Sequence, residues 1–299
     1  MYLPIIVILG PTASGKTSLA VKLAQQCDGE IICADSRTVY KGMDIGTAKP
    51  SEVERGGIAH HGLDLVEPDQ RFTLYDFQQY ALAKIAEIRS RQHVPLLVGG
   101  SGLYIDSIVH SYGLQPGGFN AAERAKLEKL SVPMLKQLIA HRGLTLPRDA
   151  SNPRRLIRTL ELGGKQPQRQ PRRSDAIVFG ISTPLVELKQ RMLVRAQAML
   201  QLGLVEETKM LLNKYGMQEP LRRNAYGVVQ WFLQNELAPQ DLAAELARCD
   251  YQLARKQLTF WRSSLRADDI CWQNLAQFNE LLDRGLTASR LGELYQALI

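Results

Sequence analysis

The eight residues GPTASGKT (10–17) constrain this chain most, because they stand between a predicted strand and a predicted helix. The apolar run Ile5–Leu9 before them is typical of a buried parallel strand, and Ser18–Gln26 after them is amphipathic. Glycines let the connecting backbone curl so that N–H groups point at phosphate oxygens, and the helix N-terminus adds the positive end of its dipole. Lys16 neutralises phosphate charge in such a loop, and Thr17 can ligate Mg²⁺. The sequence therefore predicts a P-loop and leaves its phosphate ligand open.

Short apolar runs alternate with amphipathic segments further along the chain. The runs Ile31–Ala34, Val94–Val98 and Ile177–Ile181 predict strands, and Phe72–Ser90 predicts a helix. This alternation indicates a parallel sheet, and the sequence after Pro184 shows only helical patterns. We therefore expect an α/β fold with a P-loop parallel-sheet core, a helical basic insertion and C-terminal helices.

The basic residues cluster in one part of the chain. The net charge is +7, but residues 124–173 contain thirteen Lys and Arg against three Asp and Glu, so this part carries +10 and the rest −3. Such a patch fits either a polyanion partner or a solvated helical surface. Helical patterns cover Asn120 to about Ala140 and Arg154–Leu162. We expect a helical insertion, residues 119–175, within a catalytic core of residues 1–118 and 176–299.

The composition argues against several other classes of protein. The chain is 45% hydrophobic and 22% charged, as is usual for soluble globular proteins. Its four cysteines include no CxxC pair, which argues against a disulfide framework and a zinc site. The opening apolar run is too short for a signal peptide, and no stretch is long enough to cross a bilayer. We expect a cytoplasmic monomer that makes no contact with membranes.

An acidic residue follows one predicted strand and is missing after another. P-loop NTPases typically have a second strand ending in an acid that helps to hold Mg²⁺, whereas Val94–Val98 is followed by two glycines. Asp35 instead follows Ile31–Ala34, at the carboxyl edge of the sheet, where ligands of open α/β folds bind. Three roles fit Asp35: a metal ligand, a base acting on a second substrate, and a structural helix cap or turn residue. The missing acid argues against a kinase.

Five further stretches, in the same order along the chain, resemble those of the tRNA dimethylallyltransferase family, also called tRNA isopentenyltransferases. With GPTASGKT they span nearly the whole chain: ADSRTVYKGMDIGTAKP (34–50), PLLVGGSGLY (95–104), RRLIRTLEL (154–162), LKQRMLVRAQAML (188–200) and ARKQLTFWR (254–262). The resemblance implies transfer of a dimethylallyl group from dimethylallyl diphosphate to N6 of adenosine 37, beside the anticodon of certain tRNAs. The P-loop then cradles a departing diphosphate. The alternatives are prenyl transfer to free adenine nucleotides, and a P-loop small-molecule kinase that uses ATP.

The resemblance also implies roles for individual residues and Mg²⁺ as the cofactor. Asp35 is the base that accepts the N6 proton, and Thr17 lies near the bridging oxygen of the diphosphate as a hydrogen-bond donor or Mg²⁺ ligand. Arg195 contacts the diphosphate, and Arg191 lies one helical turn before it. The full diphosphate site comprises Gly10, Pro11, Thr12, Ala13, Ser14, Gly15, Lys16, Thr17, Arg191 and Arg195.

The partner that the resemblance implies is the anticodon stem-loop of tRNA. The matching RNA contacts are Asp35, Ser36, Arg37, Thr38, Ser101, Arg124, Arg154, Arg155, Leu156, Ile157, Arg158, Arg222, Arg223, Asn224, Ala225, Tyr226 and Gly227. This sequence departs from the family pattern in a shorter insertion, in Ala225 where glycine is common, and in Asp250-Tyr251 where Thr-Arg is usual. His60 and His61 match a structural Pro-His-His segment, so we expect no metal there.

Overall fold

A computed structural model of the chain describes residues 3–114, 120–165, 168–264 and 270–283. Its centre is a six-stranded sheet in which every paired strand is parallel, in the order β3-β2-β4-β1-β5-β6. The strands are β1 (Ile5–Leu9), β2 (Gly29–Cys33), β3 (His60–His61), β4 (Val94–Gly99), β5 (Ala176–Ile181) and β6 (Cys271–Gln273). The expected α/β fold is therefore confirmed.

Helices cover both faces of the sheet. The helices that precede the insertion are α1 (Lys16–Cys27), α2 (Glu52–Arg55), α3 (Leu74–Ser90) and α4 (Gly102–Val109). On one face Ile6 and Ile8 of β1 belong to the same apolar cluster as α1, and on the other Ile5, Val7 and Leu9 pack with α3 and α4. A strand buried on both faces carries no polar alternation, which explains the continuous apolar run in the sequence.

The inserted segment Tyr112–Pro171 is a compact unit of its own. It contains α5 (Ala121–Leu127), α6 (Val132–His141) and α7 (Pro153–Glu161), which enclose an apolar core. The pattern predicted as helical from Asn120 to Ala140 is two helices, because Pro133 lies in the first turn of α6 and has no N–H to continue a preceding helix. The sequence-based insertion, 119–175, starts and ends a few residues later than this unit, and its first boundary lies outside the described residues.

The chain after β5 is mostly helical: α8 (Leu185–Gln201), α9 (Leu204–Tyr215), α10 (Asn224–Leu233), α11 (Leu242–Ser264) and α12 (Leu275–Asp283). The expectation that everything after Pro184 is helical is wrong at Cys271–Gln273, which pairs with β5 as β6. Three residues are too few to show the alternation of a strand. The neighbouring strand β5, distant in sequence, specifies β6.

Two further expectations from the sequence concern membrane-spanning segments and the state of the cysteines. No helix in the described ranges is both long and apolar enough to cross a bilayer. The four cysteines are free thiols: Cys27, Cys33, Cys249 and Cys271. Burial raises the pKa of Cys27 and of Cys33 to about 12, so both thiols are protonated at neutral pH and neither is a nucleophile.

Candidate active site

The loop between β1 and α1 has the backbone form of a phosphate cradle. Ala13 and Gly15 have left-handed φ angles of 63° and 85°, and the Ser14 N–H donates to the Pro11 carbonyl at 3.2 Å. Lys16 is the first residue of α1, so the N-terminal N–H groups of the helix begin at the loop. A left-handed alanine is uncommon, and such strain is characteristic of ligand-binding loops. The curled backbone lets successive N–H groups converge on an anion.

Lys16 is a half-buried cation at the centre of this loop. Its Nζ donates to the Pro11 carbonyl at 3.2 Å. The pKa of Lys16 is lowered to about 8: burial lowers it most, Arg195 adds to the fall, and Asp35 and Asp250 oppose it. The ammonium is therefore still mostly protonated at neutral pH, and an arriving anion would stabilise it.

Two arginines from α8 lie against the same loop. Nη1 of Arg195 donates to Thr12 Oγ1, and its Nε lies 3.7 Å from Oδ2 of Asp250. Nη1 of Arg191 donates to the Ala13 carbonyl at 3.5 Å, and its Nη2 pairs with Glu187 at 2.5 Å. The fold thus brings together the two arginines and the P-loop, which the sequence separates by more than 170 residues.

Asp35 lies just beyond β2, at the carboxyl edge of the sheet. Its Oδ1 accepts the Arg37 N–H at 2.8 Å, and the next residue, Ser36, donates its N–H to Ser101 Oγ at 3.0 Å. At the end of the adjacent strand a Cβ on Gly99 would lie 2.0 Å from the Ala34 carbonyl oxygen. The backbones of β2 and β4 are too close here for any side chain on Gly99, so the acid at this edge comes from β2.

A cleft of about 500 Å³ joins these groups. The three residues expected to act in catalysis, Asp35, Thr17 and Arg195, all line it, together with Lys16, Tyr226 and Asp250. Gly10, Pro11, Ser14 and Arg191 support the loop from outside the cleft lining. The cleft therefore holds cations, a hydroxyl and carboxylates within one space, an arrangement suited to an anionic substrate with an ionisable acceptor.

Helix α11 contributes Asp250, Leu253 and Gln257 to the cleft lining, and none of them was assigned a role in the site from the sequence. Gln257 Oε1 accepts the Thr12 N–H at 3.0 Å, which fixes the P-loop to α11. Asp250, two turns earlier on the same helix, faces Arg195. The signal for Gln257 lies in the stretch ARKQLTFWR, but a contact across 245 residues leaves no local spacing to read.

A buried carboxylate holds the loop that follows Asp35 in the sequence. Glu207 accepts the N–H groups of Asp44, Ile45 and Gly46 at 3.1, 2.8 and 3.0 Å, and the hydroxyl of Tyr226 at 2.7 Å. Tyr226 and Ala225 were expected to contact RNA, but both side chains are buried in packing. Tyr226 lines the cleft, so its contact with RNA stays a prediction; burial raises its pKa above the ordinary value, and Glu207 adds to the effect.

The other residues expected to contact RNA outside the insertion lie at or beside the cleft. Arg37, Thr38, Arg223 and Asn224 line it, and Arg37 pairs with Glu219 at 3.2 Å. Arg222 is exposed. A Cβ on Gly227 would lie 2.8 Å from the Arg222 carbonyl oxygen, so Gly227 allows close backbone packing and has no side chain to offer a ligand.

Within the insertion the expected RNA-binding arginines differ in their partners. Arg124 pairs with Glu128 and Glu161 at 2.8 Å each, and Arg158 pairs with Glu161 at 3.1 Å. Arg155 lies 3.6 Å from Asp149. Arg154 is exposed and forms no ion pair with any residue that the structure describes.

Two residues in the same helix were also expected to contact RNA. Leu156 and Ile157 are buried in the apolar core of the insertion. Their side chains are therefore unavailable to a ligand, and the expectation is corrected: they hold α7 in place so that its polar face stays exposed.

The adjacent histidines lie on the edge strand β3. His61 Nε2 lies 2.7 Å from Glu30, and His60 Nδ1 lies 2.9 Å from the Ile58 carbonyl. Within the described ranges no group of three or more His, Cys, Asp or Glu is arranged to hold a metal ion. The two histidines thus have partners within the fold.

The fold and the cleft together define a class: an α/β P-loop protein whose phosphate cradle faces a carboxylate on the neighbouring strand. A family model described as IPP transferase matches residues 38–264, and another described as isopentenyl transferase matches residues 3–67. The chain is 35% identical to the tRNA dimethylallyltransferase of Streptococcus mutans, over 89% of this chain and 91% of that one. The corresponding figures for the tRNA dimethylallyltransferase of Desulforudis audaxviator are 36%, 92% and 93%. The chain belongs to the IPP transferase family, among the tRNA dimethylallyltransferases.

Solved structures agree with this assignment. The full-length tRNA isopentenylpyrophosphate transferase of Bacillus halodurans is 29% identical, has a TM-score of 0.72, and the match covers 97% of each chain. A eukaryotic dimethylallyltransferase acting on tRNA has a TM-score of 0.73 at 22% identity, over 97% of this chain and 83% of that one, and shares the fold.

Proposed function

We propose that the cleft transfers the dimethylallyl group of dimethylallyl diphosphate to N6 of adenosine 37 in tRNA. The observation that carries the proposal is the placement of the P-loop cations and Asp35 in one cavity of about 500 Å³. A diphosphate held by the P-loop would place its allylic carbon toward the carboxylate at the end of β2. The acceptor amine must then enter the same cavity.

Bond breaking in this reaction puts positive charge on the allylic carbon and negative charge on the departing diphosphate. Lys16, Arg195 and the N–H groups of the loop are preorganised donors to that negative charge. Donors fixed before the reaction stabilise developing charge without reorganisation during it. The P-loop therefore serves the leaving group, and no phosphoryl group is transferred.

The acceptor is the exocyclic amine of adenine, whose lone pair is delocalised into the ring. As the N6–carbon bond forms and the carbon–oxygen bond breaks, N6 becomes cationic and must lose a proton. The carboxylate of Asp35 accepts that proton, a general-base role that typically contributes about 10²–10⁴ in rate. Diphosphate leaves with the bonding electron pair.

Magnesium fits the oxygen groups of this cleft. Thr17 offers an exposed hydroxyl beside the cradle, and Mg²⁺ in proteins is bound by a few protein oxygens together with substrate phosphates. We propose that Thr17 and the diphosphate oxygens hold it. When bound, the ion would neutralise part of the charge on the leaving group.

The tRNA must present a base that is out of its stack. RNA loops allow extrusion of a base, and proteins read such bases by stacking and by hydrogen bonds to their edges. Arg37, Thr38, Arg223 and Asn224 at the cleft are suited to bases and backbone near the target. The +10 insertion offers phosphate contacts. We propose a cytoplasmic monomer, in keeping with four free thiols.

Substrate selectivity tests this proposal directly. The protein is incubated with dimethylallyl diphosphate labelled in its carbon chain and, in separate reactions, with bulk tRNA, an anticodon stem-loop and AMP. We expect label in the two RNAs only, as N6-dimethylallyladenosine. Transfer to AMP at a comparable rate would favour a nucleotide prenyltransferase, and ATP consumption with no transfer would favour a kinase.

A further inference from the structure

Asp250 brings a negative charge into the cleft that the transfer chemistry does not use. Asp250 lines the cavity from α11, with its side chain 17% exposed. Its Oδ2 lies 3.7 Å from Nε of Arg195, and its charge also acts on Lys16. These are the two cations proposed to hold the diphosphate. A carboxylate therefore stands where a second anion must bind.

Arg195 meets its two neighbours through two different nitrogens, Nη1 and Nε. Its Nη1 donates to Thr12 of the P-loop. Its Nε is buried and makes no hydrogen bond within the part of the chain that is described, so the charge of Asp250 is its nearest compensation there. A guanidinium held in this way is oriented in the empty cleft and still has a donor to give to a ligand.

Two cations at the cradle face two carboxylates across the same cleft, whose lining also includes Arg37, Arg223 and Glu54. Lys16 and Arg195 stand against Asp35 and Asp250. Burial raises the pKa of Asp250, and Arg195 and then Lys16 lower it, so the carboxylate depends on the same two cations as the ligand does. Like charges forced together oppose binding, and an anion that shares its cations with a fixed carboxylate binds less tightly than it would alone.

We propose that Asp250 is a positioning residue that competes with diphosphate for Arg195 and Lys16. It orients Arg195 before diphosphate binds and speeds release of the diphosphate product after transfer. The inference rests on the proposed binding of diphosphate at the P-loop.

Affinity for inorganic diphosphate tests the proposal in the full chain. Asp250→Asn keeps the shape of the side chain and removes its charge, and Asp250→Glu keeps the charge. By titration calorimetry we expect Asp250→Asn to bind diphosphate roughly tenfold more tightly than wild type, from the loss of like-charge repulsion, and Asp250→Glu to remain near wild type. Glu245→Gln, which removes a carboxylate from the same helix outside the cleft, is the matched control and should change nothing.

Steady-state values of kcat and KM distinguish this role of Asp250 from a merely structural one. We expect Asp250→Asn to lower kcat and the KM for dimethylallyl diphosphate together, because product release becomes slower while single-turnover transfer is retained. Asp250→Thr is the second variant, and thermal unfolding confirms that each variant is folded. If Asp250→Asn does not fold but Asp250→Thr does, we expect the same changes in diphosphate affinity, kcat and KM from Asp250→Thr.

Three results separate the possible failures. Unchanged or weaker diphosphate affinity in the folded neutral variants, with and without Mg²⁺, would overturn the proposal. Weakening confined to the Mg²⁺ form would make Asp250 a metal ligand instead, which also overturns it. Lys16→Ala addresses the underlying site: if it leaves diphosphate binding intact, the proposed P-loop site is wrong whatever Asp250 does.

Discussion

At the residue scale, Lys16 shows how the fold adjusts one side chain for an anionic ligand. Burial and the nearby Arg195 lower its pKa to about 8, and two carboxylates limit the fall. Lys16 is thus mostly protonated at neutral pH, but its pKa lies close to that pH. A bound diphosphate would supply the negative charge that the site lacks around the ammonium.

We predict that the pH dependence of diphosphate affinity reports Lys16. Because the pKa of Lys16 is lowered to about 8, the ammonium is fully protonated only well below pH 8 and is lost as pH rises through that value. Affinity measured by calorimetry should therefore fall above this pH more steeply in wild type than in Lys16→Arg, whose guanidinium stays charged. Ionisation of diphosphate itself is common to both proteins, so superimposable profiles would show that Lys16 does not titrate in this range.

Asp35→Asn tests the base at the same scale. The amide keeps the size of the side chain but cannot accept the N6 proton, so we expect single-turnover transfer to slow by roughly 10²–10⁴. Dissociation constants for tRNA and dimethylallyl diphosphate should stay within a few-fold of wild type. Asp69→Asn, at an exposed carboxylate outside the cleft lining, is the control. Near-normal transfer by the folded Asp35→Asn variant would remove Asp35 from the mechanism.

At the scale of elements, the close approach of β4 to β2 places Asp35 in the cleft. The Cβ that Gly99 lacks would lie 2.0 Å from the Ala34 carbonyl oxygen. The Ala34 N–H also donates to the Val98 carbonyl at 2.7 Å, which ties the two strand ends together. The position of the acceptor side of the cleft therefore depends on a glycine that offers only backbone to the cleft lining.

Gly99→Ala should disturb both stability and activity. The added methyl must push β4 from β2, and overpacking of this kind costs about 1–3 kcal/mol or more. We expect the midpoint of thermal unfolding to fall by several degrees and transfer to slow more than tRNA binding weakens. Gly113→Ala is the matched control, because its Cβ would have 3.8 Å to its nearest neighbour. Equal effects of the two substitutions would contradict the role of Gly99.

Local sequence patterns predict most of the elements and only part of the site. The run Ile5–Leu9 and the spacing of GPTASGKT identify β1, the loop and α1, because each pattern is made by residues close together in the sequence. β6 and the contacts of Glu207 and Gln257 escape, because they depend on segments more than 90 residues away. The amphipathic pattern of α7 predicts that Leu156 and Ile157 are buried. They were instead expected to contact RNA together with the arginines beside them.

At the scale of the whole molecule, the charge is concentrated in the insertion, and its arginines divide into two groups. Arg124 and Arg158 share the nearly buried carboxylate of Glu161, whose side chain is 3% exposed. Removing them would leave a buried charge without partners, which is destabilising. Arg154 is exposed and pairs with no buried carboxylate among the described residues. The arginines of the insertion therefore serve folding and ligand binding to different degrees.

Salt dependence of tRNA binding separates the two groups. Arg154→Ala should reduce the slope of log affinity against log salt by about 0.7 for one single-strand phosphate contact, with unchanged thermal unfolding. Arg124→Ala should lower the unfolding temperature. Arg248→Ala, at an exposed arginine outside the insertion, is the control for loss of one positive charge. An unchanged slope in Arg154→Ala would indicate an ordinary solvated surface at this position.

The central claim is that the P-loop holds a leaving group and that the carbon chain moves to the base. A single turnover with dimethylallyl diphosphate labelled with ¹⁴C in the carbon chain and ³²P in the diphosphate measures both fates at once. The account predicts one ¹⁴C-labelled group on N6 of adenosine 37 for each free [³²P]diphosphate released, with no ³²P on the tRNA. Phosphorus label on the RNA, or carbon label on any other atom or nucleotide, would contradict it.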